Sequence, residues 1–413
     1  MKNKKIKVAL HHALRLGSGQ AVEKIRVAVA MSGGVDSSVA AALLKQQGYD
    51  VFGVFMHFWN ENVKGRARDN ICCSLEAGED ARRVCRMLGI PFYTMNMSVP
   101  FKKKIVDDFV RQYGACRTPN PCVRCNQYIK FGEFLKKAKK MGADFIATGH
   151  YARVKREMQN AKSKIQNKFK NKNLKFKIKL LKSRDTNKDQ TYFLLRLTQA
   201  QLKHVLFPIG GMTKPEVRKL AEKFGLAVHN KRESQEICFI PDGRLDLFLK
   251  RHLKIKPGLI KFAAPGCGGI DCINTDIRFR ENPAPLIKEN YHQGLPFYTF
   301  GQRKGIGLSG GPWYVARLDK KNNVLWVTKN ENDLLLKELR VKNVNWISGA
   351  IPKSPLAVKC RIRYRSAEAS ATVVDSSKNQ YLVKFKKPVR AATPGQYCVF
   401  WKGRECLGGG EIV

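Results

Sequence analysis

Acidic residues, membrane-length apolar runs and internal repeats are what this sequence has little of. Only 33 Asp and Glu stand against 77 Lys and Arg in 413 residues, which leaves a formal net charge of +44. Such an excess repels itself unless a polyanion or counterions offset it, so we predict RNA or DNA as a partner. No apolar run reaches the length that spans a bilayer, and no cleavable secretory signal is recognised. We therefore predict a cytoplasmic protein that has no membrane partner.

The cysteine content and the N-terminal residues indicate further what class of protein this is. Twelve cysteines in a large chain without a secretory signal predict thiol, metal or redox chemistry instead of a disulfide framework. Residues 1–24 form a basic N-terminal extension, and its first 22 residues contain no acidic side chain. A disordered basic tail is favoured there over a transit peptide.

A glycine loop between a strand and a helix is the strongest local signal. The apolar run Ile25–Met31 predicts a buried parallel strand, Val39–Lys45 predicts a helix, and Ser32–Ser38 lies between them with the sequence SGGVDSS. Paired glycines let backbone N–H groups approach an anion, hydroxyls add donors, and a helix N-terminus adds partial positive charge. Since no Gly-Lys-Ser/Thr closes the loop, it is not a Walker A sequence. It resembles the PP-loop of ATP pyrophosphatases.

Strands alternate with helices in the first half of the chain. The strands predicted at Val51–Met56 and Ala143–Thr148, with a helix at Ala77–Leu88, indicate an α/β domain with a doubly wound parallel sheet over residues 25–207. Ligands in such sheets bind beyond the carboxyl ends of the strands. A Lys-rich insertion at about 155–180 includes an alternating strand, and it is either a phosphate-contacting arm or a padded insertion.

Two further domains follow. Residues 208–310 predict a small central α+β domain, whose amphipathic helix Thr213–Phe224 has Pro215 in its first turn. Residues 311–413 predict a C-terminal β-barrel, a common RNA-docking module. Its strands are expected at 313–318, 324–328, 358–364, 371–374, 381–385 and 396–401.

Several motifs, in a fixed order, carry a family resemblance. They are Arg117–Asn126, Ala147–Tyr151, Asn187–Phe193, Glu236–Ile240, Gly301–Gly305 and Thr393–Gly410. With the PP-loop, they make the chain closely resemble the tRNA-specific 2-thiouridylases (MnmA type), whose PP-loop domain is adenine nucleotide α-hydrolase-like. The resemblance implies ATP- and Mg²⁺-dependent 2-thiolation of the wobble uridine in the anticodon stem-loop of tRNA, with AMP and pyrophosphate as products. It also implies tRNA binding by the central domain, a sulfur donor protein or sulfide source, and a monomer or weak dimer.

The resemblance assigns roles to individual residues. The ATP-binding positions match Ala30, Met31, Ser32, Gly33, Gly34, Val35, Asp36, Ser37, Met56 and Gly149. The tRNA contacts match Asn120, Pro121, Cys122, His150, Lys188, Asp189, Gln190, Tyr364, Arg365 and Gln396, the first three facing the target base. Cys125 matches the nucleophile and Cys238 the residue that carries a persulfide. The nearby Arg117 and Arg124 are expected to favour thiolates.

One departure concerns the thiols. Many family members carry an Asp, taken as a general acid/base, where this chain has Cys122, so that proton role is unassigned. The Cys122-x-x-Cys125 spacing together with Cys238 could supply three thiolates to a 4Fe–4S cluster. A persulfide relay between Cys125 and Cys238 ranks second, and a structural zinc that recruits Cys267 or Cys272 ranks third. The remaining cysteines are expected to be buried apolar residues; they include Cys72, Cys73, Cys85, Cys360 and Cys398.

Two other function classes compete with this one. A PP-loop amide ligase would need carboxylate-binding residues and would have no use for the cysteine pair or a terminal barrel. A non-catalytic RNA-binding protein with a vestigial nucleotide site would be expected to lose Asp36 or a loop glycine, and both are present.

Overall fold

The computed structural model describes residues 24–63, 66–67, 74–158, 176–231, 237–240, 243–263, 290–377 and 379–413. Several sequence predictions lie outside these residues: the extension up to residue 23, most of the Lys-rich insertion, Glu236, Cys72, Cys73, Cys267 and Cys272. In the part of the chain that is described, no helix combines the length and apolar character needed to cross a membrane.

The strands and helices of the described residues are numbered in chain order. The strands are β1 Arg26–Met31, β2 Asp50–His57, β3 Asn62–Val63, β4 Arg66–Ala67, β5 Phe92–Asn96, β6 Phe145–Ala147, β7 Ala152–Met158, β8 Phe176–Lys182, β9 Val205–Leu206, β10 Gly258–Phe262, β11 Tyr291–His292, β12 Tyr314–Asp319, β13 Val324–Thr328, β14 Leu335–Trp346, β15 Leu356–Arg361, β16 Ala369–Ser377, β17 Gln380–Arg390, β18 Tyr397–Lys402 and β19 Glu405–Ile412. The helices are α1 Val35–Gln46, α2 Leu75–Met87, α3 (Ser98–Phe101, π-helical Lys102–Val106 and Asp107–Gly114), α4 (Pro121–Cys125, π-helical Asn126–Glu133 and Phe134–Lys140), α5 Gln199–Leu202, α6 Lys214–Lys223 and α7 Leu245–His252.

A five-stranded parallel sheet forms the first half of the molecule. Its order is β5-β2-β1-β6-β9, and every neighbouring pair runs parallel. Five of the six residues of β1 are buried, as expected for a strand whose two faces are both covered. The prediction of an α/β domain with a parallel sheet is confirmed.

Helix α1 begins four residues earlier than the sequence indicated, at Val35 instead of Val39. Gly34 is its N-cap in an extended conformation, and the hydroxyls of Ser37 and Ser38 donate to the Gly34 carbonyl over 3.1 and 2.9 Å. Since Val35 is buried, the helix gains packing from its first residue onwards. Asp36 therefore lies in the first helical turn, at the positive end of the helix dipole.

Six strands close into a C-terminal barrel in the order β14-β17-β16-β15-β18-β19, because β14 also pairs with β19. The hairpin β7–β8, which flanks the Lys-rich insertion, adds to this sheet through pairing of Leu180 and Leu181 with Cys406 and Glu405. The barrel encloses its own core, and Cys360 and Cys398 are buried in it as expected.

Two strands predicted for the barrel lie elsewhere. β12 and β13 pair with each other, and β13 pairs with β10, in a four-stranded sheet of order β11-β10-β13-β12. This sheet has a separate core that includes Val315, Leu325 and Val327. Alternating hydrophobicity predicts that a segment is a strand but does not choose its partner, which explains the error. The domain boundaries at 207/208 and 310/311 stay predictions.

Candidate active site

The glycine loop is stabilised by its own residues. The Ser32 amide donates to Ser37 Oγ over 3.2 Å, and the Ser32 and Ser37 hydroxyls lie 3.3 Å apart. Gly33 has φ +70°, and a Cβ there would lie 2.2 Å from the carbonyl oxygen of Ala77 in α2. Only glycine fits that position, since both the backbone angle and the space exclude a side chain. The loop and the N-terminus of α1 together form a cradle suited to phosphate.

Other predicted nucleotide-binding residues meet at this cradle. Ala30 and Met31 end β1, and Met56 lies near the end of β2; all three are buried. Gly149 follows β6, and a Cβ on it would come within 2.7 Å of the Ser37 nitrogen. The carboxyl ends of three adjacent parallel strands thus meet the first turn of α1, which is where ligands bind in such sheets.

Asp36 is held by two side chains from distant segments. Lys214 Nζ lies 2.8 and 2.9 Å from the two carboxylate oxygens of Asp36, and the Tyr151 hydroxyl donates to Oδ1 over 2.9 Å. Lys214 is only 8% exposed, although it is the first residue of α6. Sequence reasoning missed Lys214, because no local pattern places a helix start at residue 214 beside a loop at residue 36.

His150 lies inside the protein. It is 9% exposed, its ring packs near Phe131 and Phe207, and its Nδ1 lies 2.8 Å from the Thr148 hydroxyl. Burial, with a smaller effect from the positive charge of Lys130, holds the pKa of His150 well below its ordinary value. The imidazole is therefore neutral, and its assignment as a tRNA contact stays a prediction.

The first two thiols belong to the start of α4. Asn120 is the N-cap, and its Oδ1 accepts a hydrogen bond from the Val123 amide over 3.3 Å. Pro121 fits the first turn because a helix needs no N–H there. Cys122 is exposed, whereas Cys125, one turn later, is buried. Cys122 thus lies in the first turn of α4, at the positive end of the helix dipole.

The two arginines near these thiols are already paired with carboxylates. Arg117 lies 2.6 Å from Glu411 and also donates to the Ile412 carbonyl over 3.0 Å. Arg124 lies 2.8 Å from the buried carboxylate of Asp108. Each guanidinium charge is thus at least partly neutralised by a carboxylate, which Arg124 shares with Arg111, and the expectation that both arginines promote thiolate formation stays a prediction.

A contact from the barrel stabilises the segment before α4. Gln396 Nε2 donates to the carbonyls of Thr118 and Pro119 over 2.8 and 3.4 Å, and the Thr118 amide donates to the Pro394 carbonyl over 2.9 Å. Together with the Arg117 contacts, these bonds form what we call the barrel clamp. In it, residues 394–396 and 411–412 of the barrel are hydrogen-bonded to residues 117–119. Gln396 was assigned to tRNA by resemblance; here its amide binds the protein's own backbone.

The other predicted tRNA contacts differ in exposure. Asp189 is buried and accepts hydrogen bonds from the Ser183 amide and the Thr191 hydroxyl, over 2.9 and 2.6 Å. Gln190 Oε1 accepts from the Tyr151 amide over 2.8 Å. The Tyr364 ring centroid is 4.4 Å from that of Phe193, while Lys188 is partly exposed and Arg365 is exposed. These assignments stay predictions.

Cys238 is half-buried in the short described segment 237–240. The neighbouring Phe239 anchors it, with ring centroids 5.8 Å from Phe101 and 5.2 Å from Phe109. Both of these rings belong to α3, which also contacts the first turn of α4. The segments that carry Cys238 and Cys125 therefore pack against one common helix.

The thiols do not form a preassembled metal site. Among the residues that the structure describes, no group of three or more His, Cys, Asp or Glu side chains is placed to hold a metal ion. The ranking of a cluster held by Cys122, Cys125 and Cys238 above a persulfide relay is therefore not supported by the geometry. At the phosphate cradle, Asp36 and Ser37 offer oxygen atoms, the ligand type that Mg²⁺ prefers, and both carboxylate oxygens of Asp36 are bonded to Lys214 in this structure.

Three family models match the chain. They are described as the tRNA methyl transferase HUP domain, over residues 25–242, the tRNA methyl transferase PRC-barrel domain, over residues 290–329, and the aminomethyltransferase beta-barrel domain, over residues 336–412. The second range includes β12 and β13, in agreement with their place outside the barrel.

Curated relatives match nearly the whole chain. "tRNA-specific 2-thiouridylase MnmA 1" of Caldanaerobacter subterraneus subsp. tengcongensis is 45% identical over 391 residues, which cover 94% of this chain and 97% of the relative. "tRNA-specific 2-thiouridylase MnmA" of Halothermothrix orenii is 44% identical, with 94% and 98% covered. Among solved structures, the U34-tRNA thiolase NcsA from Methanococcus maripaludis with its [4Fe-4S] cluster is 21% identical and covers 57% of this chain and 67% of that one. Its TM-score of 0.31 supports no conclusion about this protein.

Proposed function

This chain belongs to the tRNA-specific 2-thiouridylase family, and we propose that it replaces the C2 oxygen of the wobble uridine in tRNA with sulfur. The C2 oxygen attacks the α-phosphorus of ATP, and pyrophosphate leaves. A sulfur nucleophile then attacks C2, and AMP leaves with the original oxygen. Adenylation is needed because a carbonyl oxygen is a poor leaving group.

The glycine cradle is the observation that carries this proposal. Gly33, Gly34 and the first turn of α1 present backbone donors and a positive helix end to an anion. Asp36 and Ser37 would hold Mg²⁺, which supplies charge stabilisation for the departing pyrophosphate. The exposed Cys122 and the buried Cys125 lie on a helix that directly follows the segment bonded to the barrel.

For the sulfur step, we propose a persulfide relay between Cys125 and Cys238, which needs two thiols instead of three. The terminal sulfur of a persulfide on Cys238 attacks C2. The Cys125 thiolate then attacks the Cys238 sulfur and cleaves the S–S bond, which leaves 2-thiouridine and a Cys125–Cys238 disulfide. A thiol reductant restores both thiols, and a donor protein that carries a persulfide transfers its outer sulfur to the Cys238 thiolate and is left with a thiol. The common contact of both segments with α3 supports this pairing.

Product analysis tests the function. Unmodified tRNA, ATP, Mg²⁺, a thiol reductant and a persulfide donor should give AMP, pyrophosphate and 2-thiouridine in equal amounts, with no turnover when the tRNA has cytidine at the wobble position. ADP and phosphate as products would contradict the PP-loop assignment. Nucleoside mass spectrometry distinguishes the exchange of oxygen for sulfur from the addition of a methyl group. Methylation is the alternative product to exclude, because the matching HUP domain is described as that of a tRNA methyl transferase.

Cysteine variants test the relay. Cys125→Ser and Cys238→Ser should each abolish thiolation while tRNA affinity persists. Cys238→Ser removes the sulfur atom that carries the persulfide, and Cys125→Ser removes the thiolate that cleaves the S–S bond. Cys116→Ser, at a partly exposed thiol outside the proposed relay, is the matched control and should keep full activity. Substantial sulfur transfer by either relay variant would contradict the assignment. Stoichiometric iron and acid-labile sulfide after anaerobic purification, lost in Cys122→Ser, would favour the cluster instead.

A further inference from the structure

A buried ammonium group, that of Lys214, lies beside the phosphate cradle, and Lys214 is not among the residues assigned to ATP by the resemblance. Lys214 is 8% exposed, and its Nζ bridges both carboxylate oxygens of Asp36 at 2.8 and 2.9 Å. Its cation also lies 6.0 Å from the centroid of the Tyr151 ring. A lysine is rarely buried to this degree unless it is paired, so the position depends on nearby negative charge.

The backbone around Lys214 is fixed as firmly as its side chain. The Lys214 amide donates to Asp185 Oδ2 over 2.9 Å. Thr213 and Glu216 form a capping box at the start of α6, in which the Thr213 amide donates to Glu216 over 2.8 Å. The start of α6 is therefore preorganised and directs the ammonium towards the N-terminus of α1.

Charge at the cradle changes when a nucleotide binds. In the described structure, one carboxylate on Asp36 neutralises one ammonium on Lys214. A triphosphate brings several negative charges to the same helix end, and its accompanying cation attracts the Asp36 carboxylate. The ammonium then has a stronger anionic partner within reach, without any change in the fold.

We propose that Lys214 is a further ATP-binding residue, whose ammonium moves from Asp36 to the triphosphate and stabilises the departing pyrophosphate. The bond between the α-phosphorus and the bridging oxygen breaks, and its electron pair stays on the pyrophosphate. Lys214 donates hydrogen bonds to that group and transfers no proton. The proposal deepens the function above and rests on it for the identity of the nucleotide.

Variants at Lys214 separate a direct contact from an effect through Asp36. Lys214→Met keeps the length of the side chain and removes the charge, and Lys214→Arg keeps the charge. Lys219→Met, at an exposed position of the same helix, is the matched control. We expect Lys214→Met to lower pyrophosphate release at saturating ATP by ~100-fold and to weaken binding of α,β-methylene-ATP, with tRNA affinity unchanged. Lys214→Arg should recover most of that loss, and Lys219→Met should match the unaltered protein.

A double variant gives the decisive outcome. If Lys214 contacts the triphosphate, Lys214→Met should weaken α,β-methylene-ATP binding in the Asp36→Asn background as well. Equal binding by Asp36→Asn and the double variant would overturn the proposal, because Lys214 would then act only through Asp36. Unaltered tRNA affinity and melting temperature identify folded variants. If the unaltered protein formed no AMP with tRNA, the proposed function would fail, while the binding measurement would still test Lys214.

Discussion

Ser32–Ser38 is stabilised mainly by hydrogen bonds among its own residues, whereas the segment before α4 is stabilised by residues almost 300 positions later. Ser32, Gly34, Ser37 and Ser38 bond with one another. Arg117 bonds to Glu411 and Ile412, which are 294 and 295 positions away. The backbone of the nucleotide loop is thus fixed by short-range bonds, although the Asp36 side chain also pairs with Tyr151 and Lys214, whereas the thiol segment is fixed by long-range bonds.

This difference predicts which substitutions should impair the adenylation step and which should impair the sulfur-transfer step. The cradle is built from β1, α1 and contacts with Ala77, Tyr151 and Lys214, none of which belongs to the six barrel strands, so damage there should affect nucleotide chemistry alone. The thiol segment depends on the barrel clamp, so a change in the barrel should alter the thiols without touching ATP. If tRNA binds the barrel, we expect it to affect the thiols through the same barrel clamp.

The largest expected effect is at Gly33. Gly33→Ala should lower ATP-dependent thiolation by ~100-fold or more, since its Cβ would meet the Ala77 carbonyl at 2.2 Å and displace the loop. Gly48→Ala is the matched control, because Gly48 also has a positive φ, +85°, but no atom within 4 Å of the added Cβ. The control should cost about 1 kcal/mol of stability and leave the rate unchanged. Steady-state pyrophosphate release gives the rate of both variants. An equal loss of rate in the two would mean that strain from a side chain at positive φ lowers the rate, and not a displaced cradle.

A smaller effect is expected at the barrel clamp. Gln396→Ala removes both hydrogen bonds to the carbonyls of Thr118 and Pro119 and should lower thiolation by ~10-fold, with ATP affinity unchanged. The rate of Cys122 alkylation, measured without tRNA, should also change, since the start of α4 loses its support. Gln380→Ala, at an exposed glutamine of the same barrel, is the control.

The alkylation rate distinguishes the two roles of Gln396. If Gln396 acts only as a tRNA contact, Gln396→Ala would weaken tRNA binding and leave Cys122 alkylation in free protein as it was. That result would show that the barrel clamp does not position Cys122. A changed alkylation rate with intact tRNA affinity would instead show that the barrel positions the thiols.

Sequence reasoning succeeded where the relevant contacts are local. SGGVDSS encodes its own donors and turn, so an anion cradle could be predicted from seven residues. Lys214 and the barrel clamp could not be predicted, because their partners are brought close only by packing of distant elements. β12 and β13 were recognised as strands but given the wrong neighbours for the same reason. The Cys122-x-x-Cys125 spacing indicated two nearby thiols, but the geometry of a third ligand depends on the tertiary fold.

The smallest expected effect at neutral pH concerns His150, beside the cradle, which should alter the pH dependence of stability only in acid. Burial, assisted by the charge of Lys130, lowers the pKa of His150 well below its ordinary value of 6.5. As the pH falls below about 6.5, the unfolded chain therefore binds a proton that the folded protein does not, and the free energy of unfolding falls, with a slope that approaches at most about 1.4 kcal/mol per pH unit. Urea unfolding of His150→Gln should show a shallower decline between pH 6.5 and 5. Measurement at pH 8 gives the pH-independent cost of the substitution, and parallel declines in both proteins would show that the imidazole is not the group that titrates.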